Sequence, residues 1–333
     1  MMRGLKNTTV TDESRPIISE PLTGAAQPDY LNSVVRIETS LSPDALLDSL
    51  HHIEADLGRV RTERYARRTI DLDILLYDDL IMDTEKLTIP HPQMHLRNFV
   101  MFGMMDIAPG LTHPLIGECM LELWRRLNGR SFMIAGDLPK LISIAGIIGV
   151  GKTTLAEAVA DSIDCPIIRE AYDTNPYISD VYAGRTDLAL KSQLYFLNSR
   201  ADQLSPQNFL PCQPIVSDYI FEKDRIFARR TLNGGQFSQY ENRYDTVSAK
   251  VQSPSLVIYL KDEPDNALRK IRLRNRSYEQ CIKTSTLADF SNDYDSLFEQ
   301  YVTCPVITLN AAKFDCKNND HLTNLVKQIR AYI

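Results

Sequence analysis

The fold of this chain is decided by the stretch Gly146–Thr154, which reads GIIGVGKTT. It follows the apolar run Leu141–Ala145, which is typical of a buried parallel strand, and it precedes the helix-compatible run Leu155–Asp161. A strand, a glycine turn and a helix in this order predict a phosphate-binding loop, because glycine N–H groups and the helix N-terminus can surround phosphate oxygens. The alternative is a glycine turn with a surface lysine, but both flanks favour nucleotide binding.

The residue types in this loop have expected roles. Lys152 can reach the β- and γ-phosphates of ATP, and the hydroxyl of Thr153 can ligate Mg²⁺. The expected ATP-binding residues of this half are Gly146, Gly149, Gly151, Lys152, Thr153 and Thr154. The pattern indicates a kinase or another NTPase.

The composition is that of a globular protein with room for two domains, with 333 residues of which 44% are hydrophobic and 24% charged. The net charge of −6 argues against nonspecific nucleic-acid binding. The sequence has no apolar run of about 18 residues, so we expect no membrane span, and the polar N-terminus shows no signal peptide. Six scattered cysteines without a Cys-x-x-Cys pair suit free thiols in a reducing cytoplasm.

The second half alternates short apolar runs with helical sequence. Two of the runs deliver an acid at their carboxyl ends, Glu170 and Asp218, and this is where open α/β sheets bind ligands. The predicted strands are Leu141–Ala145, Pro166–Arg169, Pro214–Asp218, Leu256–Leu260 and Pro305–Leu309. Five strands separated by helices predict a doubly wound parallel sheet.

A basic cluster lies between Arg269 and Glu279. A run of charges is usually a solvated helix face, but here the alternate arginines fall on different faces, which favours a mobile lid that closes on phosphates. The basic residues of this predicted lid are Lys270, Arg272, Arg274 and Arg276.

From Leu141 to the C-terminus these residues resemble the deoxynucleoside kinase family, nearest its bacterial deoxyadenosine/deoxyguanosine kinase branch. Besides the phosphate-binding loop, the matching motifs are Glu170, Asn175–Tyr177, Gln193 with Phe196–Arg200, Ser217–Tyr219, Lys223–Ala228 and Arg272–Glu279. At Tyr219, many relatives carry arginine. The resemblance implies ATP and a deoxynucleoside as substrates, and a possible homodimer through this domain.

The same resemblance implies the roles of individual residues. Glu170 would be the general base for the sugar 5′-hydroxyl, while Lys152, Thr153 and Asp218 would serve the phosphates and Mg²⁺. The lid residues Arg272, Arg274 and Arg276 would neutralise the transferring phosphoryl group. The nucleoside-binding residues would be Gln193, Arg200 and Asp224 at the base edge, with Tyr182 and Glu279 at the 3′-hydroxyl.

The chemistry of the first half is concentrated in Thr69–Leu76, which we predict to be a strand. Residues two apart in a strand share a face, so Asp71 and Asp73 point the same way. Two carboxylates so placed repel each other unless a cation lies between them, and Mg²⁺ prefers carboxylate oxygens together with substrate phosphates. The alternative is a polar stripe facing water; the arginine cluster just upstream favours a metal–phosphate site.

Four motifs of this half resemble 6-hydroxymethyl-7,8-dihydropterin pyrophosphokinase, a family that moves a diphosphoryl group from ATP to a pterin hydroxymethyl. They are Gln27–Asn32, Glu54–Arg61, Arg68–Asp73 and Ile89–Phe99. The resemblance implies a ferredoxin-like α+β domain. It implies Asp71 and Asp73 as ligands of Mg²⁺, Arg59 and Arg68 as catalytic phosphate ligands, and His91 and Arg97 at ATP. The pterin-binding residues would be Tyr30, Asn32, Tyr65 and Phe99.

The first half departs from that family in two places. The family begins with a strand, a Gly-Ser-Asn turn and a helix, and we find no such segment before Ile17. The loop Arg61–Arg68 has Tyr65-Ala66-Arg67 where the family has tryptophan, glycine and proline. These departures bear on whether this half is catalytically competent.

We predict four segments along the chain. They are a disordered lead-in over residues 1–16, a pyrophosphokinase-like domain over 17–129 without its first strand and helix, a linker over 130–140, and a kinase-like domain over 141–333. The leading hypothesis is a bifunctional, Mg²⁺- and ATP-dependent enzyme acting on small molecules, without nucleic-acid or membrane partners. In the alternative, only the kinase is active and the first half is a structural or oligomerising module. A GTP-driven switch ranks last, because its guanine-reading motif is missing.

Overall fold

The computed structural model describes residues 5–22, 28–59, 69–134 and 136–333. The chain forms two compact units, Met1–Met133 and Ile134–Ile333. Within the described residues, no helix is both long and apolar enough to cross a lipid bilayer.

The first unit combines helices with small antiparallel sheets, in agreement with the predicted α+β class. In its described part, three two-stranded sheets pair β1 with β4, β2 with β3 and β5 with β6. The strands are β1 (Thr8–Glu13), β2 (Ile17–Ser19), β3 (Tyr30–Asn32), β4 (Val35–Thr39), β5 (Met82–Asp83) and β6 (Thr88–Ile89). The helices are α1 (Pro43–Asp56), α2 (Asn98–Ile107) and α3 (Met120–Arg125).

Two segments of this unit differ from the sequence-based expectation. Residues 8–13, expected to be disordered, form β1, because their β-branched side chains pair antiparallel with β4, as in Val10 opposite Ile37. Thr69–Leu76, expected to be a strand, lies outside the strands of the described part of the chain. The exposure of its side chains still alternates. Asp71 and Asp73 are exposed, whereas Leu72 is half-buried and Ile74 is buried.

Helix α1 is fixed at its start by its sequence. The hydroxyl of Ser42 accepts a hydrogen bond from the Ala45 N–H at 3.4 Å, and Pro43 occupies the first turn, where a backbone N–H is not needed. The buried face of α1 presents Leu46 and Leu50 to the side chain of Ile74. This packing sets the Asp71–Asp73 segment beside the helix.

The second unit contains the predicted parallel sheet. Its five strands are hydrogen-bonded in the order β11-β10-β7-β9-β8 and all pairings are parallel. The strands are β7 (Lys140–Ala145), β8 (Ile167–Ile168), β9 (Pro214–Ser217), β10 (Leu256–Lys261) and β11 (Val306–Asn310). The five predicted strands are confirmed, with ends that differ by at most one residue. Strand β7 is buried along its whole length, as a central parallel strand should be.

Among the described residues of the second unit, eight α-helices connect and cover the strands. They are α4 (Lys152–Ile163), α5 (Ile178–Tyr182), α6 (Ala189–Gln203), α7 (Lys223–Thr231), α8 (Gly234–Ser248), α9 (Pro264–Arg274), α10 (Thr284–Glu299) and α11 (Asn319–Ile329). Helix α4 begins directly after Gly151, at the carboxyl end of β7. Lys270, Arg272 and Arg274 of the basic cluster lie in the C-terminal part of α9, and Arg276 directly precedes the 3₁₀ turn Ser277–Cys281.

The glycine loop is packed closely against α9, and this predicts the effect of a methyl group. Gly149 has φ +80°, and a Cβ atom there would lie 2.6 Å from both the Ala267 carbonyl oxygen and Ile271 Cγ1. We expect Gly149→Ala to lower the free energy of unfolding by about 1–3 kcal/mol, because backbone strain and overpacking add. Gly234→Ala is the matched control, since an added Cβ there meets no atom within 4 Å. Equal denaturation midpoints for both variants would contradict the expectation.

Candidate active sites

The cluster in the second unit forms where β7, β8 and β9 end. The Thr153 hydroxyl donates a hydrogen bond to Asp218 Oδ2 at 2.7 Å, and the Glu170 N–H donates to Asp218 Oδ1 at 2.9 Å. Asp218 follows β9 directly, so one carboxylate joins the start of α4 to the end of β8. A hydroxyl and a carboxylate at the end of a phosphate-binding loop are hard oxygen donors, which suit Mg²⁺.

Glu170 lies between two cations. Its Oε1 accepts from Arg200 and its Oε2 from Lys223, whose side chain is 7% exposed. Burial raises the pKa of Glu170, but Lys223 and Arg200 lower it more strongly, so the net shift is downward. The carboxylate is therefore ionised at neutral pH and fixed on both oxygens.

Lys152 is half-buried at the base of the glycine loop. Its Nζ donates to the Ile147 carbonyl oxygen at 2.8 Å. Burial and the nearby Lys223 lower the pKa of Lys152 to about 7, against the opposite effect of Glu170 and Asp218. The ammonium group is therefore easily deprotonated in the free protein, and an added phosphate would restore its charge.

Several polar side chains surround Asp224, whose own side chain is 0% exposed. The carboxylate pairs with Arg200, accepts from the Tyr240 hydroxyl at 2.7 Å, and lies 3.4 Å from Gln193 Nε2. Burial raises the pKa of Asp224, while Arg200 and Tyr240 act in the opposite direction. Arg200 thus joins two carboxylates, Glu170 and Asp224, and the predicted base-reading residues are in one cluster.

The arginines of the predicted lid have different hydrogen-bond partners. Arg274 donates to both carboxylate oxygens of Glu279, at 2.7 Å and 2.6 Å, and Arg276 lies 3.5 Å from the same carboxylate. Arg272 donates to the Ile282 carbonyl oxygen at 2.9 Å. The ring of Tyr182 packs against that of Tyr278 of this segment in a tilted arrangement, with ring centroids 5.6 Å apart. The lid therefore contacts α5, which carries Tyr182.

Three contacting residues were not predicted from the sequence. They are Lys223 on Glu170, Tyr240 on Asp224, and Tyr172, which stacks on Arg276. Lys223 was visible within the Lys223–Ala228 motif, but its contact with Glu170 spans 53 positions, and the sequence carries no signal for that distance. Tyr219, the position where many relatives carry arginine, donates instead to Gln203 Oε1 at 2.8 Å.

The cluster in the first unit lines a cavity of about 290 Å³. Asp71, Asp73, Arg59 and His91 all border it, together with the buried Glu54. The two aspartates therefore share an opening, as the alternation predicted. Their side chains are 40% and 43% exposed, so both are accessible to a cation.

Arg59 is held by two carboxylates of this cavity. Its guanidinium donates to Asp71 Oδ1 at 2.7 Å and also to Glu54. Glu54 Oε1 additionally accepts from the Leu72 N–H at 2.7 Å, which fixes the Asp71–Asp73 segment to α1. Arg59 is therefore placed at the cavity wall with its charge partly neutralised.

Arg97 and His91 lie near the second aspartate. Arg97 is 3.7 Å from Asp73 Oδ2, and the His91 N–H donates to the Leu75 carbonyl oxygen at 2.9 Å. Burial and Arg97 lower the pKa of His91 despite the opposing charges of Asp73 and Asp71, so its imidazole is neutral at pH 7.

The described residues predicted to bind the pterin lie on β3 and α2. Tyr30 and Asn32 lie on β3, where Asn32 donates to Ser19 Oγ at 2.9 Å, and Phe99 lies in the first turn of α2. None of the three is among the described residues that line the cavity. Tyr65 and Arg68 lie outside the described residues.

Comparison with known proteins matches each half to one family. The family model described as deoxynucleoside kinase matches residues 142–333, and the one described as 7,8-dihydro-6-hydroxymethylpterin-pyrophosphokinase matches residues 1–109. A match to an enzyme family over the first half favours two enzymes over the structural-module alternative.

Individual relatives agree with this division. The chain is 50% identical over 110 residues to the 2-amino-4-hydroxy-6-hydroxymethyldihydropteridine pyrophosphokinase of Haemophilus influenzae, covering 33% of this chain and 69% of that protein. It is 33% identical over 181 residues to the deoxyguanosine kinase of Bacillus subtilis, covering 53% of this chain and 87% of that protein.

A solved structure supports the fold of the second unit. The deoxyadenosine kinase of M. mycoides with bound dCTP superposes with a TM-score of 0.50 at 25% identity, covering 57% of this chain and 98% of that one. The chain therefore belongs to the deoxynucleoside kinase family through its second half and to the 7,8-dihydro-6-hydroxymethylpterin-pyrophosphokinase family through its first half.

Proposed function

We propose that the chain is a bifunctional ATP-dependent transferase. Its first half transfers a diphosphoryl group from ATP to 6-hydroxymethyl-7,8-dihydropterin, and its second half transfers the γ-phosphoryl group of ATP to the 5′-hydroxyl of a deoxynucleoside. One arrangement carries the kinase proposal: an ionised Glu170 held by Arg200 and Lys223 next to the Thr153–Asp218 pair.

In the kinase half, the side chains divide the work of the transfer. Glu170 accepts the proton of the 5′-hydroxyl while the 5′-oxygen of the deoxynucleoside bonds to the γ-phosphorus of ATP. The bond between that phosphorus and the β,γ-bridging oxygen breaks, and ADP is released. Lys152 and the lid residues Arg272, Arg274 and Arg276 neutralise the phosphoryl oxygens. Arg200 fixes the general base Glu170 relative to the nucleoside pocket, because it binds both Glu170 and Asp224.

The nucleoside pocket fits the edge of a nucleobase. Gln193, Arg200 and Asp224 present amide, guanidinium and carboxylate groups in one buried cluster, which can pair with donors and acceptors of a base. Tyr182 and Glu279 lie on the lid side, where a sugar 3′-hydroxyl would be held. The relatives of the second half, named deoxyguanosine kinase and deoxyadenosine kinase, favour a purine deoxynucleoside.

In the pterin half, Asp71 and Asp73 would hold Mg²⁺ between the ATP phosphates and the pterin. The cation supplies charge neutralisation and alignment of the reacting oxygens. Arg59 and Arg68 would bind the phosphates, His91 and Arg97 the nucleotide, and Tyr30, Asn32, Tyr65 and Phe99 the pterin. In the kinase half, Thr153 and Asp218 would hold Mg²⁺.

The two activities can be separated by their products. Diphosphoryl transfer leaves AMP and phosphoryl transfer leaves ADP, so chromatography of the nucleotides reports each half in one purified protein. We expect AMP to form only with the dihydropterin and ADP only with a deoxynucleoside, tested across the four deoxynucleosides. Lys152→Ala should remove ADP formation and keep AMP formation. Absence of AMP with the dihydropterin would restrict the activity to the kinase half.

Proton uptake on ATP binding tests the state of Lys152. Its pKa of about 7 leaves it mostly neutral at pH 8, and the phosphates of MgATP should restore its charge, so binding should take up close to one proton. Because the folded pKa lies below that of the unfolded chain, the free protein should also gain stability as pH rises above 7. Calorimetry in buffers of different ionisation enthalpy measures the uptake. A Lys152→Met variant with the same proton uptake as the wild type would contradict this assignment.

The cellular compartment and the oligomeric state of the protein are part of the proposal. We propose a cytoplasmic protein, since all six cysteines are free thiols, and a homodimer through the kinase domain. Size-exclusion chromatography with light scattering tests the dimer, and a monomeric mass at micromolar concentration would exclude it.

A further inference from the structure

One guanidinium of the lid, that of Arg276, contacts the loop that follows Glu170. Arg274 and Arg272 are satisfied within the lid itself, by Glu279 and by the Ile282 carbonyl oxygen. Arg276 instead lies over the ring of Tyr172, with Cζ 3.9 Å from the ring centroid, and donates to the Tyr172 hydroxyl. This is a stacked and hydrogen-bonded contact between parts of the chain 104 residues apart.

Tyr172 is itself fixed relative to the proposed base. Its N–H donates to the Glu170 carbonyl oxygen at 3.0 Å, so the two residues share one tight turn. Its own carbonyl oxygen accepts from the Asn175 N–H at 3.4 Å, and the buried Asn175 side chain donates to Ser192 Oγ at 3.0 Å. The backbone of the loop that carries Tyr172 is therefore anchored to α6.

The charge at Arg276 remains available for phosphate. Its contact with Glu279, at 3.5 Å, is long, whereas Arg274 binds that carboxylate through two short hydrogen bonds. A stacked ring orients a guanidinium without neutralising its charge. Arg276 is thus held near the turn of Glu170, and its ion pair with Glu279 is longer than that of Arg274.

We propose that Tyr172 is a positioning residue that places Arg276 against the transferring phosphoryl group when the lid closes. The proposal rests on the proposed kinase function of this half. Tyr172 contacts Arg276 of the lid and lies in the same turn as the proposed general base Glu170, so it links the position of the lid to that of Glu170. Its effect should fall on the chemical step and pass entirely through Arg276.

A double-mutant cycle on the full-length protein tests this assignment. We expect Tyr172→Leu to lower kcat for ADP formation about tenfold, as loss of a half-buried stacking contact predicts, with the KM of ATP and of the deoxynucleoside within about twofold of the wild type. Tyr172→Phe keeps the ring and should retain most of kcat. In an Arg276→Ala background, Tyr172→Leu should have no further effect on kcat.

Controls separate this proposal from the function on which it rests. Asp173→Ala changes the exposed neighbour in the same loop and should leave kcat unchanged. If Tyr172→Leu does not melt cooperatively, Tyr172→Ala takes its place in the cycle. Equal losses of kcat from the tyrosine substitution with and without Arg276 would overturn the positioning role. A wild-type protein that forms no ADP with any deoxynucleoside would instead refute the kinase function.

Discussion

Glu170→Gln is expected to lower kcat for phosphoryl transfer to a deoxynucleoside by about 10²–10⁴-fold, the contribution of a positioned general base. Glutamine keeps the shape of the side chain but cannot accept the proton of the 5′-hydroxyl. ATP binding should survive, because Glu170 contacts the phosphate-binding loop only indirectly, through its N–H on Asp218. Steady-state kinetics and equilibrium ATP binding measure the two properties separately.

The same substitution should also lower the free energy of unfolding. Glu170 forms ion pairs with both Arg200 and Lys223 in a buried site, and its removal leaves their positive charge less compensated. The pKa of Glu170 is lowered in the folded protein, so its stabilisation is present above the unfolded pKa and is lost as pH falls. The difference in melting temperature between wild type and variant should therefore be large at pH 7 and smaller in acid.

A matched control distinguishes the site from a general charge effect. Glu157→Gln removes the same charge from an ion pair with Arg169 whose side chains are 45% and 56% exposed, where little stability is at stake. We expect it to change neither kcat nor the melting temperature appreciably. If Glu170→Gln retained kcat within about threefold of the wild type, a base role, for which at least about 10²-fold is expected, would be wrong.

The sequence predicted the parts of the kinase half that depend on local order. The glycine loop, the buried strand before it and the acids at strand ends follow from neighbouring residues, and the five-stranded parallel sheet is confirmed. Contacts between distant residues were not predicted. Lys223 and Tyr172 became visible only because the fold brings α7 to Glu170 and the lid to the Glu170 turn.

The first half shows the opposite limitation. Alternation correctly placed Asp71 and Asp73 on one side, because the spacing of side chains survives without a ladder of hydrogen bonds. The strand itself was wrong, since strand formation requires a paired neighbour that a local pattern cannot supply. The lead-in was wrong for the converse reason: β1 is polar, but it finds its partner in β4, beyond the reach of local patterns.

Replacing both cavity aspartates, Asp71→Asn with Asp73→Asn, is expected to lower AMP formation by about 10³-fold, since metal ions contribute several kcal/mol to such transfers and each 1.36 kcal/mol is tenfold. Asparagine keeps the shape and oxygen of each side chain but removes the two negative charges that would attract Mg²⁺. ADP formation by the kinase half should be unchanged in the same protein, and this serves as an internal standard for folding and concentration.

The control for this pair is Asp78→Asn with Asp79→Asn, which removes the same charge from exposed residues absent from the described lining of the cavity. Asp78 has φ +46°, a conformation that asparagine also tolerates, so the control should fold normally. We expect it to keep both activities. An equal loss of AMP formation in both double variants would mean that net charge, rather than the Asp71–Asp73 pair, supports the reaction. Unchanged AMP formation in the cavity variant would exclude the pair as the metal site, because no reaction of this kind proceeds with its phosphate charges unneutralised.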